Sequence, residues 1–387
     1  MQFIDLASQQ DRIRQDIEVR LRKVLDHGQY IMGPEVFELE RVLAEYVSMP
    51  HALSCASGTD ALLLALMAQD VQPGDAVFTT PFTFMATAEV IALLRATPVF
   101  VDIDPVTFNM DPAKLALAIQ AVESGDASHH PLPRGAVGWG LRGRGVIAVD
   151  LFGLPADYGQ INPLAQSHGL FVIEDAAQSF GAQMGGRKAC GLSGLTCTSF
   201  FPAKPLGGYG DGGMCFTDDE ELLGLMRSIR IHGQGADKYE NVRIGINGRL
   251  DTLQAAILLA KFSIFEEEVQ LRQEVAARYT QLLGELEVDL LPPFVPPDCL
   301  SAWAQYSVLA RDEPHRAACL DRLRAAGIPS AIYYPKPLHR QRAFRDLDYR
   351  EGDFPVSEGC ARRIFSLPMH PYLKAEDQER ICRTLKG

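Results

Sequence analysis

Short apolar runs alternate with amphipathic stretches through the first two-thirds of the chain. Gly33-Pro34 predicts a helix start, with Val36, Leu39, Val42, Leu43, Tyr46 and Val47 following at helical spacing. Ser57-Gly58-Thr59-Asp60 is a polar cap ahead of the strong helix formers Ala61 to Leu66. Ala76–Thr80, Val99–Val101, Gly145–Val149 and Leu170–Ile173 are apolar runs of strand length, and helical stretches near Met85–Arg95 and Pro163–Ser167 separate them. Continuous apolar strands alternating with helices imply a mostly parallel sheet covered on both faces.

From Asp251 the pattern turns long and helical, through Leu253, Ala256, Leu259, Phe262 and Phe265 to about Leu283. A Pro-rich break from Leu291 to Pro297 follows. Tyr306–Leu309 and an amphipathic stretch near Arg316–Ala326 then read as a smaller α+β unit. The expectation is an α/β protein of two parts, a large domain over residues 1–262 and a small C-terminal domain over residues 263–387. The segment Ser124–Arg144, rich in Gly, Pro, His and Arg and holding His129-His130 and Trp139, reads as a mobile surface loop, since its paired histidines lack further metal ligands at useful spacing.

Composition narrows the class. At 387 residues the chain is long enough for two cores, and 47% hydrophobic with 22% charged residues is ordinary for a globular protein. A net charge of -12 argues against non-specific nucleic-acid binding and polybasic membrane binding. The N-terminus has no signal-peptide pattern and no apolar run spans a bilayer, so the expectation is cytoplasmic. Eight scattered cysteines without a CxxC pair read as reduced thiols, and no metal site is expected.

The candidate chemistry lies at strand ends, where ligands bind in such sheets. Asp150 and Asp175 both follow apolar strands, and Gln178 lies close behind Asp175. Lys204 sits among aromatics, prolines and glycines in Thr198–Gly213, where burial would lower its pKa. Taken alone, Lys204 reads equally well as a lysine whose stem covers a loop, and Asp175 more simply as a helix cap. The glycine run is not a dinucleotide fingerprint, because it neither follows a clear strand nor opens a helix at the right spacing; it leads into a strand at Met214–Phe216. Pyridoxal 5′-phosphate chemistry needs a Schiff-base lysine, a carboxylate at the pyridine nitrogen and a phosphate cradle at a helix start. Lys204, Asp175 and the turn Ser57-Gly58-Thr59 supply these on one edge of one sheet, and together they outweigh the separate structural readings.

Gly33-Pro34-Glu35, Ser57–Ala61, Glu174–Gln178, Ser199–Lys204 and Asn247–Asp251 give the chain its resemblance to the DegT/DnrJ/EryC1/StrS sugar aminotransferases, of fold type I among pyridoxal-phosphate enzymes. The likeness runs from Phe3 to Tyr372. It implies that Lys204 forms the Schiff base and shuttles the proton, that Asp175 pairs with the pyridinium nitrogen, and that Gln178 lies near the ring. It further implies that Gly58, Thr59 and Ser199 hold the phosphate and that Phe84 stacks on the ring. Asn247 would reach the phosphate of a neighbouring subunit, making the active unit a homodimer.

Within the family, His27–Ile31, Cys197–Phe201, Arg230–Gln234 and Leu253–Leu259 are most similar to the enzymes that aminate UDP-2-acetamido-2-deoxy-3-oxo-glucuronate with L-glutamate for bacterial surface polysaccharides. Arg249, or Arg243 upstream, is a candidate partner for the sugar carboxylate. Tyr333 and Tyr334 would line the sugar-nucleotide end, where Tyr333-Tyr334-Pro335 stands in place of the usual His-Tyr-Pro. Two other functions fit the same residues: amination of a 3-keto or 4-keto 6-deoxyhexose nucleotide, and a pyridoxal-phosphate-binding regulator without turnover.

Overall fold

The computed structural model describes every residue except 135, 137–139, 238 and 387. Two helices open the chain, α1 (Leu6–His27) and α2 (Pro34–Val47), with Pro34 in the first turn of α2 and Val36, Leu39, Leu43 and Val47 buried along one face. Then come β1 (His51–Cys55), α3 (Gly58–Ala68), β2 (Asp75–Thr79), α4 (Ala86–Leu93), β3 (Thr97–Phe100), α5 (Pro112–Ser124), β4 (Arg142–Val149), α6 (Tyr158–Ser167) and β5 (Phe171–Asp175). A small hairpin, β6 (Gln183–Met184) and β7 (Arg187–Lys188), precedes β8 (Leu195–Ser199), β9 (Gly213–Thr217) and α7 (Glu220–Arg230).

These strands build a seven-stranded sheet in the order β1-β9-β8-β5-β4-β2-β3. Only β9 runs against its neighbours, pairing antiparallel with both β1 and β8. Alternate residues of the central strands feed opposite layers: Val77, Ile147 and Ile173 pack on one face, Phe78, Val146 and Ala148 on the other. Phe78 is fully buried, which contributes about 2 kcal/mol by area removed from water. Burial on both faces is why these strands read as unbroken apolar runs.

The long helical stretch expected from Asp251 to about Leu283 is built as two helices. α8 (Thr252–Phe262) and α9 (Phe265–Glu285) meet at Ser263-Ile264, where 3.3 Å bonds run from Ser263 N to Ala260 O and from Ile264 N to Lys261 O. The break lets Phe262 and Phe265 both pack their rings on Tyr46, at centroid distances of 5.2 and 5.9 Å. Tertiary packing overrides the local helical pattern there.

The remaining elements are β10 (Leu290–Leu291), β11 (Cys299–Leu300), β12 (Tyr306–Ala310), α10 (Glu313–Ala325), α11 (Pro355–Arg363), β13 (Ile364–Leu367) and α12 (Ala375–Lys386). β10, β12 and β13 form a second antiparallel sheet over a core of Tyr279, Trp303, Tyr306, Val308, Phe365, Leu367 and Ile381. β11 extends the β6–β7 hairpin.

The Ser124–Arg144 segment is corrected in part. His130 is buried and bonds through Nε2 to Phe100 O at 2.7 Å, Arg134 N donates to Leu347 O at 2.7 Å, and Arg142 already belongs to β4. The segment is pinned to β3 at His130 and to the turn ending at Leu347 at Arg134; Trp139 lies outside the described residues. Among those described, no helix is long and apolar enough to cross a membrane, all eight cysteines are free thiols, and no group of three or more His, Cys, Asp or Glu is arranged to hold a metal.

Candidate active site

The carboxyl ends of β1, β2, β5 and β8 lie on one edge of the large sheet, because these strands share one direction. Gly213, at the start of the reversed strand β9, pairs there with both Cys55 and Ser199.

Asp175 is the last residue of β5 and is buried. Its Oδ2 accepts a 2.8 Å bond from Thr87 Oγ1, in the first turn of α4, and its Oδ1 a 3.3 Å bond from Ala177 N. Burial raises the pKa of this carboxyl, while the Thr87 and Ala177 donors and the positive charge of Lys204 work the other way. Lys204 lies in the irregular segment between β8 and β9, half-buried, its own backbone N–H bonded to Phe201 O at 2.9 Å. Desolvation lowers its pKa, and the Asp175 charge raises it only in part. The amine is therefore more readily neutral than a surface lysine, as nucleophilic attack requires.

The start of α3 forms the second part. Ser57 caps the helix: its Oγ accepts from Asp60 N and its carbonyl from Ala61 N, each at 3.0 Å. The Gly58 and Thr59 amides lie ahead of the first intrahelical bond and keep their protons for a ligand. Ser199 closes the cradle. A Cβ added at Gly58 would stand 2.6 Å from Ser199 Cβ, so only glycine lets helix and strand end approach this closely. Ser199 Oγ accepts from Phe201 N at 3.3 Å, which leaves its proton free to donate. Two amides and a hydroxyl at a helix N-terminus suit a phosphate.

Gln178 joins the third part. Its Oε1 accepts from Phe152 N at 2.7 Å and its Nε2 donates to the Tyr334 hydroxyl at 3.2 Å. Tyr334 lies 6.4 Å, ring to ring, from both Phe82 and Phe84. Phe84 is 55% exposed, a large aromatic face held open at the mouth of the site. Burial keeps the Tyr334 phenol protonated by pushing its pKa far up.

The other expected residues stand apart. Tyr333 packs edge-on to Tyr334 at 5.8 Å and turns toward Phe3. Asn247 is exposed and its side-chain carbonyl accepts from the Arg249 guanidinium. Their segment crosses the β1–α3 turn, where Ala56 N donates to Gly248 O at 3.1 Å, yet among the described residues neither side chain bonds to Asp175 or Lys204. Asp150 is structural: its oxygens accept from Ala156 N, Tyr158 OH and Ser179 Oγ at 2.9, 2.8 and 2.6 Å.

Thr87 is the residue that sequence reasoning missed. Its only signal was a hydroxyl at the apolar start of α4, three residues after Phe84. The Gln178–Tyr334 bond was invisible as well, since 156 residues separate the partners.

Each of these positions answers to one part of a phosphorylated pyridine aldehyde. The buried carboxylate suits a protonated ring nitrogen, the weakly basic amine an aldehyde carbon, the cradle a phosphate and the open phenyl face a ring. Fold type I pyridoxal-phosphate enzymes are built on this plan, with the site at the edge of a mostly parallel sheet. The chain belongs to the DegT/DnrJ/EryC1/StrS aminotransferase family, whose pattern matches residues 11–386. It is an aminotransferase.

It is 47% identical over 385 residues to the UDP-2-acetamido-2-deoxy-3-oxo-D-glucuronate aminotransferase of Pseudomonas aeruginosa, covering 100% of this chain and 99% of that one. A solved DegT DnrJ EryC1 StrS aminotransferase from Brucella abortus is 46% identical with a TM-score of 0.92, covering 100% and 99% of the two chains. A Bacillus subtilis protein solved with PMP bound is 28% identical with a TM-score of 0.86, over 99% of this chain and 82% of that one.

Proposed function

We propose that this protein transfers the amino group of L-glutamate to the keto carbon of UDP-2-acetamido-2-deoxy-3-oxo-glucuronate, in the synthesis of a bacterial surface polysaccharide in the cytoplasm. The observation that carries the reading is Lys204, its basicity lowered by burial, held within reach of the charge of buried Asp175. The full-length likeness to the Pseudomonas aeruginosa enzyme supports the choice of sugar.

The cofactor is pyridoxal 5′-phosphate, which when bound supplies an electron sink for the negative charge that develops at the amino-bearing carbon. Lys204 Nζ would hold the cofactor at its aldehyde carbon and, as a free amine, would take the proton from the donor's α-carbon. The same nitrogen returns a proton to the sugar carbon in the second half of the reaction. Asp175, its carboxylate oriented by Thr87, would hold the ring nitrogen in its protonated state. The Gly58 and Thr59 amides and the Ser199 hydroxyl hold the phosphate. Phe84 would cover the ring, and Gln178, anchored on Phe152 N, would support it.

A second copy of the chain completes the site, with Asn247 reaching across to the phosphate. In support, Ile244 is 85% exposed and the large apolar side chains of Tyr30, Ile31, Phe84, Phe201 and Val242 are also exposed. Tyr30 and Ile31 adjoin the Asn247 segment through the 2.9 Å bond from Thr252 N to Tyr30 O and the Ile31–Asp251 bridge. Arg249 meets the sugar carboxylate, Tyr333 and Tyr334 line the sugar-nucleotide end, and residues 263–387 act as the smaller domain.

The test is the visible spectrum of the loaded enzyme against two amines, glutamate and UDP-2-acetamido-3-amino-2,3-dideoxyglucuronate. Loss of the visible band with both is the expected result. Loss with glutamate alone keeps the transaminase and moves the substrate to a 6-deoxyhexose nucleotide. No response to either overturns the role given to Lys204 and leaves a non-catalytic regulator.

A further inference from the structure

Residues 200–212 carry Lys204 from β8 to β9 without regular structure, so something must hold the amine in place. Four bonds close the segment on itself or on its ends: Phe200 N to Gly212 O at 2.7 Å, Gly208 N to Phe200 O at 2.8 Å, Lys204 N to Phe201 O at 2.9 Å and Phe201 N to Ser199 Oγ at 3.3 Å. Phe200 and Leu206 are buried in the core, and a polar attachment comes from α8. Gln254 Oε1 accepts from Tyr209 N at 2.8 Å, and side chains at Gly208 or Gly210 would stand 2.9 and 3.0 Å from the Gln254 amide. The glycines let the backbone lie flat against this one helix.

Lys261 lies seven residues beyond Gln254, two turns along the same face of α8. It is 1% exposed, and its Nζ has no hydrogen-bond partner among the described residues. The ammonium sits 4.4 Å from the centroid of the Tyr209 ring. The Tyr209 ring itself packs against the apolar side chains Ile13, Ile17, Ile257 and Ala260. The one carboxylate that favours its charged form, Glu268, is already bonded to both Gln9 and Tyr372. Nothing in its stability requires a lysine at this position; a leucine or methionine would fill an apolar pocket without an unpaired buried charge.

We propose that Lys261 is a positioning residue, which fixes the ring of Tyr209 by a cation–π contact and thereby sets the place of the Lys204 amine five residues earlier. The inference rests on Lys204 being the lysine that attaches to the cofactor. If Tyr209 swings away, the ammonium is left facing hydrocarbon, so the contact resists displacement of the ring. Pro205 and the hydrogen-bonded glycines transmit that restraint along a short, tightly turned segment. Small misplacements of a reacting nitrogen are costly in rate, which is what such a restraint prevents.

The test compares Lys261→Met, Lys261→Arg, Tyr209→Leu, Tyr209→Phe and the double variant Lys261→Met/Tyr209→Leu with wild type. Three quantities are read: the rate at which pyridoxal phosphate attaches to the full-length apoenzyme, the site of the borohydride-stable label, and kcat and KM for glutamate. Lys261→Met and Tyr209→Leu should each slow attachment and kcat about tenfold with KM unchanged, and the double variant should be no slower than either. Lys261→Arg and Tyr209→Phe, which keep a cation over a ring, should stay near wild type. Wild-type rates in both disruptive variants, or a double variant slowed by the product of the two, would overturn the inference. A fall in melting temperature with unchanged attachment rate would likewise reduce Lys261 to packing. Tyr209 is only half-buried, so Tyr209→Leu keeps the test decisive if Lys261→Met fails to fold. A wild-type label on a lysine other than Lys204 overturns the reading of Lys204 itself, whereas a label on Lys204 with unaffected variants overturns this inference alone.

Discussion

Thr87 donates its hydroxyl to Asp175 Oδ2 at 2.8 Å, and 88 residues of chain separate the two. The bond stabilises the ionised carboxylate against the burial that raises its pKa. Thr87→Val should therefore weaken the hold on the ring-nitrogen proton while preserving shape. We expect kcat to fall about ten- to a hundredfold, consistent with a hydrogen bond to a charged group worth roughly 1.5–3 kcal/mol. Asp175→Asn should go further, by about 10²–10³ in kcat, with cofactor still bound. Steady-state kinetics on the two variants measure both; an unchanged kcat in Asp175→Asn removes the residue from the role given to it.

Lys204→Ala should abolish turnover and the borohydride-stable cofactor label together. Mass spectrometry of the reduced, digested protein locates the label in wild type. Wild-type transamination by the alanine variant would end the assignment.

The cradle makes a separable prediction. Gly58→Ala places a methyl 2.6 Å from Ser199 Cβ and forces helix and strand end apart. Cofactor affinity should drop at least tenfold, read as the dissociation constant of pyridoxal phosphate, while Ser199→Ala, losing one donor of several, should drop it less. Equal affinities in wild type and Gly58→Ala would place the phosphate elsewhere.

Tyr334→Phe leaves Gln178 Nε2 without its 3.2 Å partner but keeps the ring packed near Phe82 and Phe84. The expected effect is a raised KM for the sugar nucleotide, with the glutamate half-reaction close to wild type. A variant impaired equally in both halves would mean that Tyr334 serves the cofactor instead of the sugar.

His370 makes a prediction about stability. It is 4% exposed, and burial pushes its pKa down from the ordinary 6.5 to about 4, partly offset by Asp5. Between those values the unfolded chain binds a proton that the folded chain refuses. Stability therefore rises with pH through this window and is lost as pH falls through it, by roughly 3 kcal/mol in total. Urea midpoints at pH 7.5 and 4.5 should differ less in His370→Gln than in wild type; identical differences would assign the acid sensitivity to other groups.

Much of this molecule is written in local pattern. Ala76–Phe78 in β2 and Val146–Val149 in β4 are buried on both faces, so each appears as an apolar run whatever the rest of the chain does. Pro34 and Ser57 mark helix starts by chemistry confined to one turn. Lys204, Asp175 and the Ser57-Gly58-Thr59 turn each have an ordinary reading alone, and they stand out because all three fall at the strand-end edge that the local pattern lays out.

What stayed hidden depends on partners far apart in sequence. The halt between α8 and α9 comes from packing Phe262 and Phe265 on Tyr46, and a helical period carries no sign of that contact. His130 reads as a loop residue until Phe100 O is found beside it. The chain by itself determined the strands, the helix caps and the residue types that the cofactor chemistry needs, because those follow from short-range periodicity and capping. Only the tertiary structure decided that Thr87 meets Asp175, that Gln178 meets Tyr334 and that Lys261 lies over Tyr209, because each contact arises from the order in which strands and helices are stacked.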